Sequence, residues 1–113
     1  MRNQTVRVTI RLTAPSVAGA GYKLRHITED PAALAYQESL RQEQQMLIVR
    51  IGELTGAPLD VKRRFTRTTN AISANVRRQD LELIRGLEGV AGVAEEMRYR
   101  VEPPVAGKPS ATK

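Results

Sequence analysis

The sequence of 113 residues predicts an α+β domain whose elements follow the order βαββαβ. Four segments alternate apolar and polar residues, which is typical of strands with one buried face. Two other segments repeat apolar residues at spacings of three and four, which is typical of helices that bury one side. Glycine, proline and asparagine separate these segments, and the length suits a single domain.

The first strand is predicted at Thr5 to Leu12, where Val6, Val8 and every second residue after them are apolar. Arginine and threonine occupy the alternate positions, so one face is buried and the other is exposed. Residues 13–29 contain Pro15 and two glycines and show no sustained period. They predict a loop that is mobile or lies over the surface.

A long helix is predicted from Pro31 to Leu54, because Asp30 followed by proline is a typical helix start. A glycine and then a proline mark its end. Gln37 and Gln44 are among the polar residues that fall outside the predicted apolar stripe. That stripe consists of Ala33, Tyr36, Leu40, Leu47, Ile51 and Leu54.

The second half of the chain predicts two strands, a short helix and a last strand. Leu59–Thr66 and Ile72–Val76 alternate in polarity, and Thr68–Asn70 between them is a turn. A short helix follows from Asp80 to Gly89, and the apolar residues from Val93 to Val101 predict the fourth strand.

Residues 1–102 are therefore predicted to form one domain, and residues 103–113, rich in proline, alanine and serine, a flexible tail. Right-handed crossovers place both helices on one face of a four-stranded antiparallel sheet, which is the ferredoxin-like arrangement. The other face is then open. The residues predicted to line it are Arg7, Arg11, Lys62, Arg64, Ser73, Asn75, Arg98 and Arg100.

No combination of residues in the sequence predicts catalysis, a metal or a cofactor. The chain has no cysteine, and its single histidine, His26, lies in the predicted loop without partners. Glu95 and Glu96 are neighbours in a strand, so they point to opposite faces and do not form a carboxylate pair. We therefore expect a protein that is not an enzyme. No apolar run approaches the about 18 residues of a membrane span, so no membrane partner is expected.

The net charge of +6 permits an anionic partner, and six basic residues flank the central hairpin. They are Lys62, Arg63, Arg64, Arg67, Arg77 and Arg78. Modules of this fold that bind single-stranded nucleic acid add exposed aromatic rings that stack on bases. Phe65 and Tyr99 share their predicted strand faces with apolar residues and are expected inside. Nucleic acid is therefore an unlikely partner.

Several pieces of the sequence carry a resemblance to a known family. They are Arg64-Phe65-Thr66, the run from Asn70 to Val76, the helix DLELIRGLEGV, and the valines Val90 and Val93. In this order and spacing, the chain resembles the propeptide inhibitor domain of subtilisin-like serine proteases, over about residues 5–102. Two departures are Ala71 and Ile72, which stand where the family commonly has glycine and an aromatic residue.

The resemblance implies a folding chaperone and inhibitor that acts on a subtilisin-like protease in cis or in trans. The open sheet face would dock on the protease, and the tail would lie in its active-site cleft like a product strand. The tail residues implied are Glu102, Pro103, Pro104, Val105, Ala106 and Gly107. Such a protein would be secreted within a precursor as a prodomain, or cytoplasmic as a stand-alone inhibitor, and a monomer when free.

Two alternatives remain open. One is a ferredoxin-like module that binds nucleic acid or a small regulatory ligand. The other is a domain that self-associates through its open sheet face.

Overall fold

The computed structural model describes residues 4–96, and these form an antiparallel four-stranded sheet with two α-helices packed on it. The strand order is β2-β3-β1-β4. The predicted α+β class and ferredoxin-like βαββαβ arrangement are confirmed. The elements are β1 (Thr5–Leu12), α1 (Pro31–Thr55), β2 (Asp60–Phe65), β3 (Ala71–Arg77), α2 (Leu81–Arg85) and β4 (Val90–Glu95).

Two predicted elements have different bounds in the structure. The second helix is short, because Arg78–Asp80 forms a 3₁₀ turn before α2. The side chain of Asp80 pairs with Arg77 at 2.9 Å and makes no capping bond. Strand β4 begins at Val90, three residues before the predicted start. The predicted end of this strand, Met97–Val101, lies outside the described residues, as do Arg98, Arg100 and the tail.

The main core lies between the helices and one face of the sheet, which we call the helix face. Alternate residues of three strands point to it, as their spacing predicts. The buried strand residues are Val8, Ile10, Leu12, Ile72, Ala74, Val76 and Val93. Leu47 and Ile51 from α1 and Leu81 and Ile84 from α2 pack against them.

The set of buried residues on α1 differs from the predicted apolar stripe. The buried positions are Ala33, Gln37, Leu40, Gln44, Leu47 and Ile51, whereas Tyr36 is only partly buried and Leu54 is exposed. Gln37 donates to the Thr66 hydroxyl at 3.0 Å, and Gln44 donates to Asn70 Oδ1 at 2.8 Å. Buried polar groups are tolerated when hydrogen-bonded, so these glutamines join the helix to the β2–β3 turn.

The segment predicted as a loop that is mobile or lies over the surface, residues 13–29, contains a 3₁₀ helix at Leu24–Glu29 and two buried apolar side chains, Val17 and Ile27. A helix of 25 residues is about 37 Å long, whereas an eight-residue strand is about 26 Å long. The sheet is therefore too short to cover the whole helix, and the amino-terminal half of α1 needs another segment to bury its apolar side chains. Val17 and Ile27 supply it by packing on Ala33 and Leu40 in a second core.

Strand β2 contains an irregularity that reverses its faces. Asp60 and Val61 pair with Asn75 and Ala74, but Arg63 and Arg64 pair with Ser73 and Ile72, so Lys62 is an extra residue. Such a bulge shifts the alternation by one position.

Two predictions about β2 are therefore wrong. Arg64 does not lie on the open face; its guanidinium donates to Gln44 Oε1 at 3.0 Å and to the carbonyl of Arg41 at 2.6 Å, both on α1. Phe65 is not inside; it pairs with Ala71 on the opposite sheet face and is 37% exposed.

Candidate functional site

The second sheet face, which we call the open face, is the candidate functional site. It holds no residue of either core cluster, and both α-helices pack on the opposite side. The strand register arranges its side chains in three rows. These rows are Phe65–Ala71–Arg11–Gly92, then Arg63–Ser73–Thr9–Ala94, and then Asp60–Asn75–Arg7 with Glu96 beside Arg7.

Glu96 organises one part of the open face. Its backbone N–H donates to the carbonyl of Arg7 at 2.9 Å, which extends the β1–β4 ladder by one residue. Its Oε2 atom accepts from the Ser73 hydroxyl at 2.6 Å and from the Thr9 hydroxyl at 3.0 Å. Thr9 lies on β1, Ser73 lies on β3 and Glu96 directly follows β4, so the carboxylate spans the middle of the sheet.

Asp60 organises a second part. Arg7 Nε donates to Asn75 Oδ1 at 2.6 Å, and Asn75 Nδ2 donates to Asp60 Oδ2 at 3.2 Å. Lys62 Nζ lies 3.2 Å from Asp60 Oδ1. Exposed pairs of this kind add little stability, but the connected chain of bonds fixes the direction of each polar group.

The pKa values of both carboxyl groups are lowered from their ordinary values. For Glu96 the main cause is the hydrogen bond from Ser73, opposed in part by burial and helped by Thr9 and by the charges of Arg7 and Arg63. For Asp60 the main cause is the hydrogen bond from Lys62, followed by that from Asn75. Both groups are ionised at neutral pH, so the open face carries charges of both signs.

The predicted site residues divide into three groups. Ser73 and Asn75 lie on the open face, and Lys62 reaches it through Asp60. Arg64 lies on the helix face, as described above. Arg98 and Arg100, and the tail from Glu102 to Gly107, lie outside the described residues.

Sequence reasoning missed several residues of this face. Arg63 and Phe65 lie there only because of the bulge at Lys62. No residue type in β2 predicts that bulge. The sequence predicts no role for Glu96 beyond pointing away from Glu95, yet its carboxylate accepts two hydrogen bonds from the sheet. Glu95 does not join these bonds but pairs with Arg78 at 2.9 Å, which agrees with the prediction that Glu95 and Glu96 point to opposite faces.

Within residues 4–96, no group of three or more histidine, cysteine or acidic side chains is placed to hold a metal ion. The helices in that range were also compared with the requirements of a membrane span. None is both long enough and apolar enough to cross a bilayer.

The hydrogen bond from Ser73 should make stability fall in acid. Because the pKa of Glu96 is lower in the folded than in the unfolded chain, its contribution is present above the unfolded value of about 4.3 and is lost as pH falls through the folded value. In Ser73→Ala, we expect the pKa of Glu96, followed by carbon-detected NMR, to rise toward its ordinary value. Thr9→Ala should raise it less. An unchanged pKa in Ser73→Ala would contradict this assignment.

Comparison with protein families, curated proteins and solved structures finds no match to this chain.

Proposed function

We propose that this protein is the prodomain, or a stand-alone inhibitor, of a subtilisin-like serine protease. It would dock through its open face and place its tail in the active-site cleft. The observation that carries the proposal is a four-stranded face on which no helix of residues 4–96 packs, and on which Arg7, Asn75, Asp60, Ser73 and Glu96 are held by mutual hydrogen bonds. The resemblance of the sequence to the propeptide family supplies the choice of partner.

The side chains of the open face that are fixed by hydrogen bonds favour a protein as the binding partner. Groups such as Asn75 and Glu96 are already oriented, so binding would lose less conformational freedom than it would with mobile side chains. The face also carries both Asp60 and Arg63, and mixed charge suits a polar protein surface better than a polyanion.

The position of β4 is compatible with the role given to the tail. It is an edge strand, so its outer backbone groups have no strand partner within residues 4–96. The sequence continues from this strand toward Glu102 and the proline-rich tail. An extended segment binds a protease cleft by adding main-chain hydrogen bonds to the edge strands there.

Inhibition assays on a panel of subtilisin-like proteases test the proposal. The full chain should inhibit at least one of them with an inhibition constant of about 1–100 nM, which lies within the affinity range that interfaces of standard size reach. A chain that ends at Val101 should be at least about tenfold weaker. A chain that ends at Gly107 keeps the implied tail residues and should inhibit like the full chain. If the full chain slows none of the proteases, the proposal fails.

Two charge reversals test the docking face separately. Arg63→Glu changes an exposed side chain of the open face and should weaken inhibition by about tenfold. Arg25→Glu is the matched control, because Arg25 is exposed on the 3₁₀ helix that packs against α1. Equal losses in both variants would point to general charge effects and not to docking.

Phe65 favours a second candidate, a module that binds single-stranded nucleic acid. Its exposed ring shares the open face with Arg63 and Arg11, and stacking on a base is worth about 1–3 kcal/mol. Binding of a fluorescent oligonucleotide that weakens with salt and with Phe65→Ala would support it. Binding that Arg25→Glu weakens as much as Phe65→Ala would instead indicate a general charge effect.

A further inference from the structure

The outer side of α1, opposite the core, carries an apolar patch. Met46 is 60% exposed and Val49 is 51% exposed, in a helix whose other side is fully packed. Contiguous exposed apolar side chains, unlike singly exposed ones, are a feature of contact surfaces. We call this feature the α1 patch, and it consists of Gln42, Glu43, Met46, Val49, Arg50 and Glu53.

The helical repeat places these residues on one stripe. At 100° per residue, Gln42, Met46, Val49 and Glu53 point away from the buried stripe that runs from Ala33 to Ile51. Glu43 and Arg50 lie together on one flank, where both border the same surface depression as Met46. The patch therefore has an apolar centre and one charged flank.

The two flanking charges are opposite in sign and seven residues apart, so they are separated by about 10.5 Å along the helix. Neither Glu43 nor Arg50 forms an ion pair with another of residues 4–96. Their midpoint falls between residues 46 and 47, beside the apolar centre. If a second copy of this surface is rotated by 180° about that midpoint, its Arg50 comes opposite Glu43 and its Glu43 comes opposite Arg50. The surface is therefore complementary in charge to a second copy of itself.

We propose that the α1 patch binds a second copy of this chain, with the two α1 helices antiparallel about a two-fold axis near Met46. An antiparallel pair places residues on the same flank against each other. Glu43 of each copy then faces Arg50 of the other, and Met46 and Val49 pack across the axis. In a parallel pair, the same flank of the two copies lies on opposite sides of the contact, so Glu43 and Arg50 of the two copies would not meet and this charge pairing would be lost.

The dimer is expected to be weak. One helix face buries less than the roughly 1,200 Å² of a stable interface, so association belongs to the micromolar-to-millimolar range. The α1 patch and the open face lie on opposite sides of the domain, because α1 covers the helix face of the sheet. Each copy in the dimer therefore keeps its open face free, and the inference does not depend on the proposed function.

Analytical ultracentrifugation from about 1 μM to about 1 mM tests the proposal. The average mass of the intact chain should rise from the monomer toward the dimer. In Met46→Lys, which puts a charge at the centre of the contact, the dissociation constant should increase by at least about tenfold. Leu83→Lys is the matched control, because Leu83 is an exposed apolar residue of α2 outside the patch.

A charge exchange tests the antiparallel geometry. Glu43→Arg alone places an arginine against Arg50 of the other copy and should weaken the dimer. The double variant Glu43→Arg with Arg50→Glu restores opposite charges and should recover most of the association. All these side chains are exposed, so thermal unfolding should be little changed in each variant.

Three results would overturn the proposal. The first is a monomer mass over the whole concentration range. The second is a double charge variant that associates no better than Glu43→Arg. The third is association that Arg63→Glu on the open face abolishes while Met46→Lys leaves it intact, since that would place the contact on the open face.

Discussion

Replacing Ile10 by alanine should lower the free energy of unfolding by about 2–5 kcal/mol. Ile10 is fully buried in β1, a central strand, where it pairs with Ile72 of β3 and Val93 of β4. Alanine removes three carbon atoms from a site that has a neighbouring strand on each side. The surrounding residues therefore have little freedom to move into the cavity. Chemical denaturation at equilibrium measures the loss.

Ile10→Val is the matched control, because it removes one methylene at the same position. It should lower the free energy of unfolding by about 0.5–1.5 kcal/mol. If Ile10→Ala lost less than Ile10→Val, the packing described for β1 would be wrong.

The second large effect is expected for Gln44→Leu, at about 2–4 kcal/mol of unfolding free energy. The Gln44 amide is fully buried and donates to the carbonyl of Phe65 at 2.7 Å and to Asn70 Oδ1 at 2.8 Å. It also accepts from Arg64 Nε at 3.0 Å. Leucine has a similar size but removes the donor to buried Asn70 Oδ1 and to the Phe65 carbonyl, so polarity and not volume causes the loss.

The neighbouring residue supplies the control for this prediction. Gln45 is exposed, and the only hydrogen bond of its side chain within residues 4–96 is from Arg64 at 3.3 Å on the surface. Gln45→Leu should change the free energy of unfolding by less than about 0.5 kcal/mol. Similar losses for Gln44→Leu and Gln45→Leu would show that the Gln44 contacts do not stabilise the fold.

The regular elements of the fold were predictable because their signals are local. Alternation in β1 and the Asp30-Pro31 start of α1 each depend on a few neighbouring residues, and the structure places both elements at the predicted residues. Asp30 indeed caps the helix, since its side chain accepts from the backbone N–H groups of Ala32 and Ala33.

The buried glutamines could not be predicted in the same way. By residue type, Gln37 and Gln44 resemble the polar residues of an exposed helix face. They are buried because the β2–β3 turn presents the Thr66 hydroxyl and the Asn70 amide directly opposite them. That match depends on segments about 26 to 29 residues apart in sequence, and periodicity along one helix does not contain it.

The membership of the open face was only partly predictable. Alternation is reliable as long as strand pairing is regular, and it placed Ser73 and Asn75 correctly. One extra residue in β2 reverses the faces beyond Val61, which moves Arg64 to the helix and brings Arg63 and Phe65 to the open face. The exposure of Phe65 also weakens the sequence-based reason for setting nucleic acid aside.

The sequence by itself determined the order of the elements, the side of each regular strand that is buried, and the resemblance that suggests a protease partner. Only the tertiary structure decided which polar residues are buried, which side chains share the open face, and that the outer side of α1 exposes an apolar patch. The physical reason is range: periodicity and capping depend on neighbours along the chain, whereas bulges, buried hydrogen bonds and surface patches depend on which distant segments meet.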